Sequence, residues 1–505
     1  MCSLALFPPP RLSGQVTLYE ANNELVWGNS TECYEKQHWT PPSLHFPRET
    51  LKPHSRPESS SKAAFLDHRD TLWMRSAGAW HDAGLAGLLD EITNSSEEVP
   101  KWLTLSSGCV LALLRWMSSF HCSLFPHLTI NRHFVGLLFL TSAKLIDYSP
   151  FNQLSGEDMV AEFSQVLSWS DSAVRSFAWH PHTDKFAVAL LDDSIKIYNS
   201  RSAITPTLKH RLQRSVSAMQ WKPLCASTLA VACHTCLLIW HVDPNSLSTR
   251  AQLCFVLFAL QVWNVAAEIC VPLQRVGGGG VTNLSWSPDG SRLLAATPSA
   301  LFRVWETKMW TCERWPCLKG RCQSGCWSPD GSRLLFCVQG ETVIYALTFS
   351  DMTGGPKSAA VVADLSETTF SEPDGDLIVG GEVQSLAWDP TGERLAVLLK
   401  GNADSLIHSA IIAVFKTRSS PIFELLPCGF VKAEAGTEPR LMQFQPHFQH
   451  GALLTVCWSN GRISHVPFYF VGMGKPCSTA SPPLPHFTSK TESYNTHTIY
   501  TQQMS

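Results

Sequence analysis

The chain reads as an all-β propeller, and three observations lead there. Tryptophan and proline stand two residues apart at the end of five short apolar strands, and three of these copies run on into a glycine turn and a second apolar strand. Trp179 to Trp221, and again Trp286 to Trp327, fall in the spacing of roughly 40 to 45 residues that marks four-stranded blades. A series of such sheets closes into a ring.

Taken in order, the first copy carries Val174, Phe177, Trp179 and Pro181, then Phe186 and Val188; the second carries Val216, Met219, Trp221 and Pro223, then Leu229 and Val231. The third runs Val281, Leu284, Trp286, Pro288, Asp289, Gly290, Leu293 and Leu294. The fourth is Trp327, Pro329, Asp330, Gly331, Leu334 and Leu335, and the fifth Val383, Leu386, Trp388, Pro390, Gly392, Leu395 and Val397. A sixth copy, Leu441, Phe444, Pro446, Leu453, Leu454 and Val456, lacks the tryptophan. Apolar residues at every second position fit a strand with one buried face. The Ser-Pro-Asp-Gly step fits a tight turn, proline presetting φ and glycine taking φ > 0. Most repeats close with a further strand ending in an aromatic: Ile195 to Tyr198, Leu237 to Trp240, Phe302 to Trp305, Val343 to Tyr345 and Ile411 to Phe415.

The repeated tryptophans, Trp179, Trp221, Trp286, Trp327 and Trp388, are assigned to packing between neighbouring blades, each indole burying on the order of 150 to 250 Å². The aspartate of a Trp-Asp ending is missing, since the pairs are Trp240-His241, Trp263-Asn264 and Trp305-Glu306. These are degenerate WD repeats, and a full His, Ser and Asp hydrogen-bonded network is not expected in each blade.

At 505 residues the chain exceeds what one hydrophobic core supports, which suits a repeat ring with appended segments. A net charge of -3 gives no drive toward phosphate backbones, so direct nucleic-acid binding is not expected. The apolar start runs at once into Pro8, Pro9 and Pro10 rather than a secretory signal, and the 17 cysteines are read as reduced thiols. Cys233-His234-Thr235-Cys236 has half of a zinc-site spacing but no second pair, and is read as part of a blade strand; Cys312, Cys317, Cys322 and Cys326 are read as structural too. No apolar run reaches the roughly 18 to 20 residues of a spanning helix, the nearest being Phe134 to Leu140 and Leu253 to Leu260, so direct membrane insertion is not expected.

Four regions follow. Residues 1–62 are an extended N-terminal segment in which Val16, Leu18 and Val26 mark one or two short strands. Residues 63–170 are a helical region: Phe65, Leu72, Trp73, Trp80, Leu85, Leu88 and Leu89 recur at helical steps, as do Trp102, Leu105, Val110, Leu113, Leu114 and Trp116. Gly156 to Trp169 is a third amphipathic candidate, with Val160, Phe163 and Val166 on one side. Residues 171–471 are the propeller, and 472–505 a tail rich in Pro, Ser and Thr.

Outside the generic repeat, Gly14 to Glu20, Ser123-Leu124-Phe125-Pro126-His127, Ala178 to His182 and Lys185 to Ser194 resemble the aladin family of WD-repeat nucleoporins. So do Leu208 to Arg214, Met309 to Pro316 and Val362 to Thr368. The resemblance implies a seven-bladed propeller acting as a noncatalytic scaffold subunit of the nuclear pore complex. It implies anchoring at the nuclear envelope by a transmembrane nucleoporin of the pore membrane ring, contacts with other nucleoporins, and support of nucleocytoplasmic protein transport. Presence in the cytoplasm and at mitotic spindle poles is implied as well. Against the family pattern, Thr129 to Gln153 looks inserted, and a whole repeat between Thr249 and Val271 is reduced to Leu253 to Val265, so one blade should be incomplete.

Enzyme chemistry finds no foothold in the motifs. His180, His182, Asp192 and Asp193 lack a nucleophile in a G-x-S-x-G setting and read as blade-turn residues. Gly277 to Gly280 lacks the G-K-[ST] ending of a phosphate loop. The basic run Lys209, His210, Arg211 and Arg214 reads as a solvated loop rather than a patch for an acidic partner. No cofactor is called for. The alternative function is a WD-repeat adaptor that brings substrates to a modifying enzyme such as a ubiquitin ligase, although no ligase-docking motif is seen.

Overall fold

Alternating apolar positions become sheets throughout. The computed structural model describes residues 2–10, 14–29, 40–51, 89, 156–200, 205–223, 225, 227–234, 236–242, 249–255, 261–264, 269–272, 281–317, 319–349, 358–372, 375–401, 410–420 and 422–470. The helices expected before Gly156, the inserted stretch 129–153, the glycine run 277–280 and the tail 472–505 lie outside the described residues, Leu89 alone excepted.

Among the described residues, six sheets of four or more strands follow one another along the chain, and within each blade consecutive strands pair antiparallel. Blade 1 comprises Val174–Trp179, Lys185–Leu190, Ile195–Asn199 and Thr207–Leu208. Blade 2 comprises Ala218–Trp221, Thr228–Ala232, Cys236–Val242 and Thr249–Phe255; blade 3, Asn283–Trp286, Arg292–Ala296, Leu301–Glu306 and Thr311–Pro316. Blade 4 holds Cys322–Trp327, Arg333–Val338, Val343–Thr348 and Ala360–Asp364, and blade 5 holds Val383–Trp388, Arg394–Leu399, Ile411–Arg418 and Glu424–Val431. Blade 6 contributes Pro439–Phe444, Gly451–Trp458 and Arg462–Tyr469.

Where the family pattern holds a further repeat, between blades 2 and 3, the described residues form a two-stranded sheet, Gln261–Asn264 with Ile269–Pro272. Among the described residues, six blades and a hairpin stand where seven full blades are expected. The physical reason is length, since too few residues separate Trp221 from Trp286 to supply four more strands. A second hairpin, Thr368–Glu372 with Gly375–Val379, links blades 4 and 5.

First strands abut from blade to blade in the order 3, 4, 5, 6, 1, 2, which sets them along the axis with the later strands outward. The Ser-Pro-Asp-Gly turns form as the sequence demands. Gly331 takes φ +70° and its N–H closes the turn on Ser328 O at 2.8 Å, a conformation without steric cost only for glycine. Gly325 answers a packing demand, because a Cβ there would come within 2.4 Å of Leu294 Cδ2 of blade 3.

The N-terminal segment is the largest surprise. Rather than running free, it is sewn onto the outer rim of three successive blades. Cys2–Ser3 adds in parallel to Ala360–Asp364 of blade 4, and Phe7 lies 4.9 Å from both Phe415 and Phe430 of blade 5. Val16–Ala21 pairs in parallel with Arg462–Tyr469, giving blade 6 a fourth strand, and Glu24–Gly28 turns back along it. Leu44–His45 also pairs with the Arg462 strand. A three-stranded blade would leave a free edge, and the chain start covers it.

That cover is latched by charge. Arg394 of blade 5 donates from Nε and Nη2 to the two carboxylate oxygens of Glu20, both at 2.9 Å, and from Nη2 to Asn23 Oδ1 at 3.0 Å. The Glu20 side chain is fully buried, and a bidentate, hydrogen-bonded geometry is what lets such a pair survive desolvation.

Candidate interaction surface

The first strands of blades 1, 4, 5 and 6 each carry a β-bulge near their start, so that Arg175, Gln323, Gln384 and Arg440 fall out of the ladder. A bulge re-aims its side chain. All four converge on one stretch of chain, 157–171, which begins as the short helix α1, Gly156–Phe163. The guanidinium of Arg175 lies 4.0 Å over the Trp169 ring, and Gln165 Nε2 donates to Gln323 O at 3.0 Å. Gln384 Nε2 donates to Ser164 O at 3.4 Å. Leu167 N donates to Arg440 O at 2.9 Å, and Arg440 Nη1 returns to Leu167 O at 3.4 Å.

Further ties reach blade 2 and the start of blade 4. Trp169 Nε1 donates to Val216 O at 3.3 Å, and Ser215 Oγ to Glu157 Oε1 at 2.8 Å. Arg321 donates to both the side chain and the carbonyl of Glu162 at 2.9 Å, with its guanidinium 4.6 Å over Phe163. Val166, Leu167 and Trp169 are buried in consequence. The stretch is thus a strap touching five blades at the ends of their axial strands. Of the apolar face anticipated for Gly156 to Trp169, Val166 is buried against the propeller, while Val160 and Phe163 stay half-buried.

The repeat tryptophans occupy corresponding strand ends with unequal surroundings. Trp221 Nε1 donates to Ala178 O at 3.1 Å, the residue before the tryptophan of the preceding blade. Trp327 Nε1 does the same to Ser285 O at 2.9 Å. Trp179 reaches across the blade 6–blade 1 junction to Thr455 Oγ1 at 2.9 Å, and that hydroxyl lies 2.9 Å from His465 Nδ1. This Trp-Thr-His relay joins two blades and differs from a His, Ser and Asp network within one. Trp388 is half-buried against Phe423 with its indole N–H unbonded. Trp179, Trp221 and Trp327 are 4%, 2% and 5% exposed, whereas Trp286 is 54% exposed, with Leu284 beside it at 51%.

The reason is position in the ring. Trp286 and Leu284 stand on the face of blade 3 turned toward the short repeat, where the other tryptophans meet a whole blade. On the other side of the same junction Ala218 and Gln220 of blade 2 are exposed. Burial patterns record the same asymmetry: the first strand of blade 1 is buried at every position, that of blade 3 at none.

The titratable residues of the blade turns are engaged in structure. Asp192 accepts from Ser194 N and Oγ and pairs with Lys209 Nζ at 3.2 Å; Asp193 pairs with Arg175 at 3.3 Å. The His180 ring lies 5.2 Å from Trp221, and burial, with Lys185 and His182 nearby, lowers its pKa. Within the basic run, His210 Nδ1 accepts from Leu212 N. Cys233 and His234 sit in the turn between two strands of blade 2 rather than in a strand, as Cys233 N donates to Cys236 O at 2.9 Å. Hydrogen bonding to Cys236 and burial raise the Cys233 thiol well above its usual range, which opposes the thiolate a metal requires. Burial likewise pushes Cys317 up to about 11 and raises Cys322 and Cys326, while Cys312 is a strand residue of blade 3. Among the described residues no three His, Cys, Asp or Glu side chains gather as a metal site, and no helix is long and apolar enough to cross a membrane.

A cavity of about 300 Å³ opens where Pro42 and its neighbours meet blade 6, with Trp458, Lys432, Glu434 and Arg462 in its wall. Arg462 Nη1 pairs with Glu434 Oε1 at 2.6 Å across it, which spends much of its charge internally.

Comparison with known proteins agrees with this geometry. Residues 254–469 match the model described as the Aladin seven-bladed propeller, and residues 162–199 that of the WD domain, G-beta repeat. The Arabidopsis thaliana protein Aladin is 26% identical over 361 residues, covering 61% of this chain and 78% of that relative. Among solved structures, the β-propeller domain of Myceliophteria thermophila Cps50 (Swd1) aligns with a TM-score of 0.35 at 13% identity, over 58% of this chain and 82% of that one. A chain of the Mitotic Checkpoint Complex aligns with a TM-score of 0.43 at 16% identity, over 59% and 90%. The chain is thus similar to aladin, and its own fold is an all-β propeller of WD repeats.

Proposed function

We propose that the chain is a noncatalytic scaffold subunit of the nuclear pore complex, held at the nuclear envelope by a transmembrane nucleoporin of the pore membrane ring and serving nucleocytoplasmic protein transport. Contacts with other nucleoporins, and a further presence in the cytoplasm and at mitotic spindle poles, belong to the same reading. What carries it is the joint match to aladin in sequence and to a WD propeller in fold. The geometry supports a docking role: the strap ties the axial strands of five blades together, titratable groups of the blade turns are paired in structure, and the outer strands and loops remain as rigid surfaces.

The test is the distribution of a tagged full-length chain in living cells. A nuclear rim in interphase, with signal at spindle poles in mitosis, is the expected result. Diffuse cytosolic signal from a chain that still melts cooperatively would reject the pore assignment and favour a soluble adaptor.

A further inference from the structure

We propose that Cys233 and Cys236 are a dithiol–disulfide pair, oxidised by hydrogen peroxide, that sets how firmly blade 2 holds the loop 212–216 and, through it, the strap. The inference is independent of the scaffold reading and holds wherever the chain resides.

The two sulfurs lie three positions apart at a reversal of the chain. Cys236 opens its strand and Cys233 lies one residue past the strand before it, so the two extend the register in which Ala232 faces Leu237 and stand directly opposite. Cys233 N donates to Cys236 O at 2.9 Å, and facing residues bonded in this way have Cα atoms about 5.5 Å apart, inside the range a disulfide spans. The Cys233 thiol also hydrogen-bonds to the Cys236 sulfur. Closing the bond therefore needs side-chain rotation and no movement of strands.

The surroundings divide the chemistry between the two. Cys233 holds its proton, donated toward Cys236, so it is assigned proton delivery and Cys236 the attack. In the first step the Cys236 sulfur attacks one peroxide oxygen: an S–O bond forms, the O–O bond breaks, and hydroxide departs as water with the Cys236 proton, leaving a sulfenic acid. In the second the Cys233 sulfur attacks that sulfur: the S–S bond forms, the S–O bond breaks, and hydroxide departs as water with the Cys233 proton. Two thiols are oxidised and one peroxide is reduced to two waters. At 9% and 3% exposure the pair admits an oxidant of that size and hinders a larger one.

The reduced pair grips the loop from both sides. Cys236 Sγ donates to Leu212 O at 3.6 Å, the Arg214 backbone bonds to the Cys233 sulfur, and His234 N donates to Arg214 O at 3.2 Å. That loop is the strap's anchorage on blade 2, through Ser215 Oγ on Glu157 and Val216 O on Trp169 Nε1. Ser215 takes φ +50°, a left-handed conformation that persists in a residue other than glycine only while its neighbours hold it. A disulfide carries no S–H, so oxidation removes the thiol donor from Leu212 O and loosens the loop.

The experiment titrates the reduced full chain with hydrogen peroxide and blocks it with N-ethylmaleimide before peptide mass spectrometry. The expected product is a peptide holding both Cys233 and Cys236, unlabelled and two hydrogens lighter, formed at about tenfold less peroxide than removes label from the buried strand thiols Cys337 and Cys457, and reversed by dithiothreitol. Amide exchange over 209–216 should quicken by about threefold or more in the oxidised chain, and exchange over 157–169 with it. Cys236→Ser should abolish both the linked peptide and the exchange response. Cys233→Ser should stop at a sulfenic acid on Cys236 that dimedone traps, an outcome a merely structural pair would not give. Linkage of either sulfur to Cys225 of the same blade, oxidation only at the peroxide that also consumes Cys337 and Cys457, or a disulfide that leaves exchange over 209–216 unchanged would each overturn the proposal.

Discussion

The junction between blades 6 and 1 and the junction between blades 2 and 3 are made from the same repeat and end in opposite states. At the first, Trp179 is buried against Phe177 and Phe186 and hydrogen-bonded to Thr455. At the second, Trp286 carries the same motif and lies open, touching Trp310 edge-on at 6.3 Å. The tryptophan motif therefore encodes a strand end and a turn, while its burial is conferred by the neighbour. In a repeat ring each unit stabilises mainly through the interfaces on either side, so removing one repeat is felt by the two blades that flanked it.

Three tests bear on how the ring closes. The largest effect is expected from Glu20→Gln, which leaves Arg394 buried beside a neutral partner and frees the strand that completes blade 6; a loss of about 3–5 kcal/mol is expected in denaturant titration. A stability within experimental scatter of the parent would mean that the rim segment contributes little to closure.

A paired truncation is of comparable size. Trp327→Ala removes a buried indole and its bond to Ser285 and should cost about 3–5 kcal/mol, whereas Trp286→Ala should cost less than about 1 kcal/mol because its side chain already faces water. Equal costs for the two would show that the open face is covered in solution and would erase the distinction between the junctions.

The smallest effect is a pH dependence confined to the closed junction. Burial lowers the His465 imidazole to about 3, so its folded pKa lies below the unfolded one near 6.5. The unfolded chain then binds the proton first, and the contribution of His465 is complete above about pH 6.5 and fades as pH falls toward 3. Melting temperatures taken between pH 7 and 4 should fall less steeply for His465→Gln than for the parent. Parallel slopes would indicate that His465 is not the group being protonated.

Much of this architecture was legible in the residues. The five Trp-x-Pro strand ends, the glycine turns, the short strands around Val16 and Val26 and the shortage of chain between blades 2 and 3 could all be read directly, because each depends on local conformation or on length. Blade 6 was fainter, since Leu441 and Phe444 stand where the other copies carry the tryptophan-ended strand. The strap was legible only as an amphipathic stretch. That Arg175, Gln323, Gln384 and Arg440 would meet it could not be read, as a bulge is a property of two paired strands and leaves no local signal.

What the sequence alone determined is the period: strand, turn, strand, and the number of times the unit recurs, all set by side-chain alternation and by where glycine and proline permit a reversal. Tertiary structure decided which of the identical indoles are buried, which rim the first residues would join, and which blades the strap would tie together. Those outcomes depend on burial and on pairing between residues hundreds of positions apart, as with Glu20 and Arg394, and neither is written in the neighbourhood of any one residue.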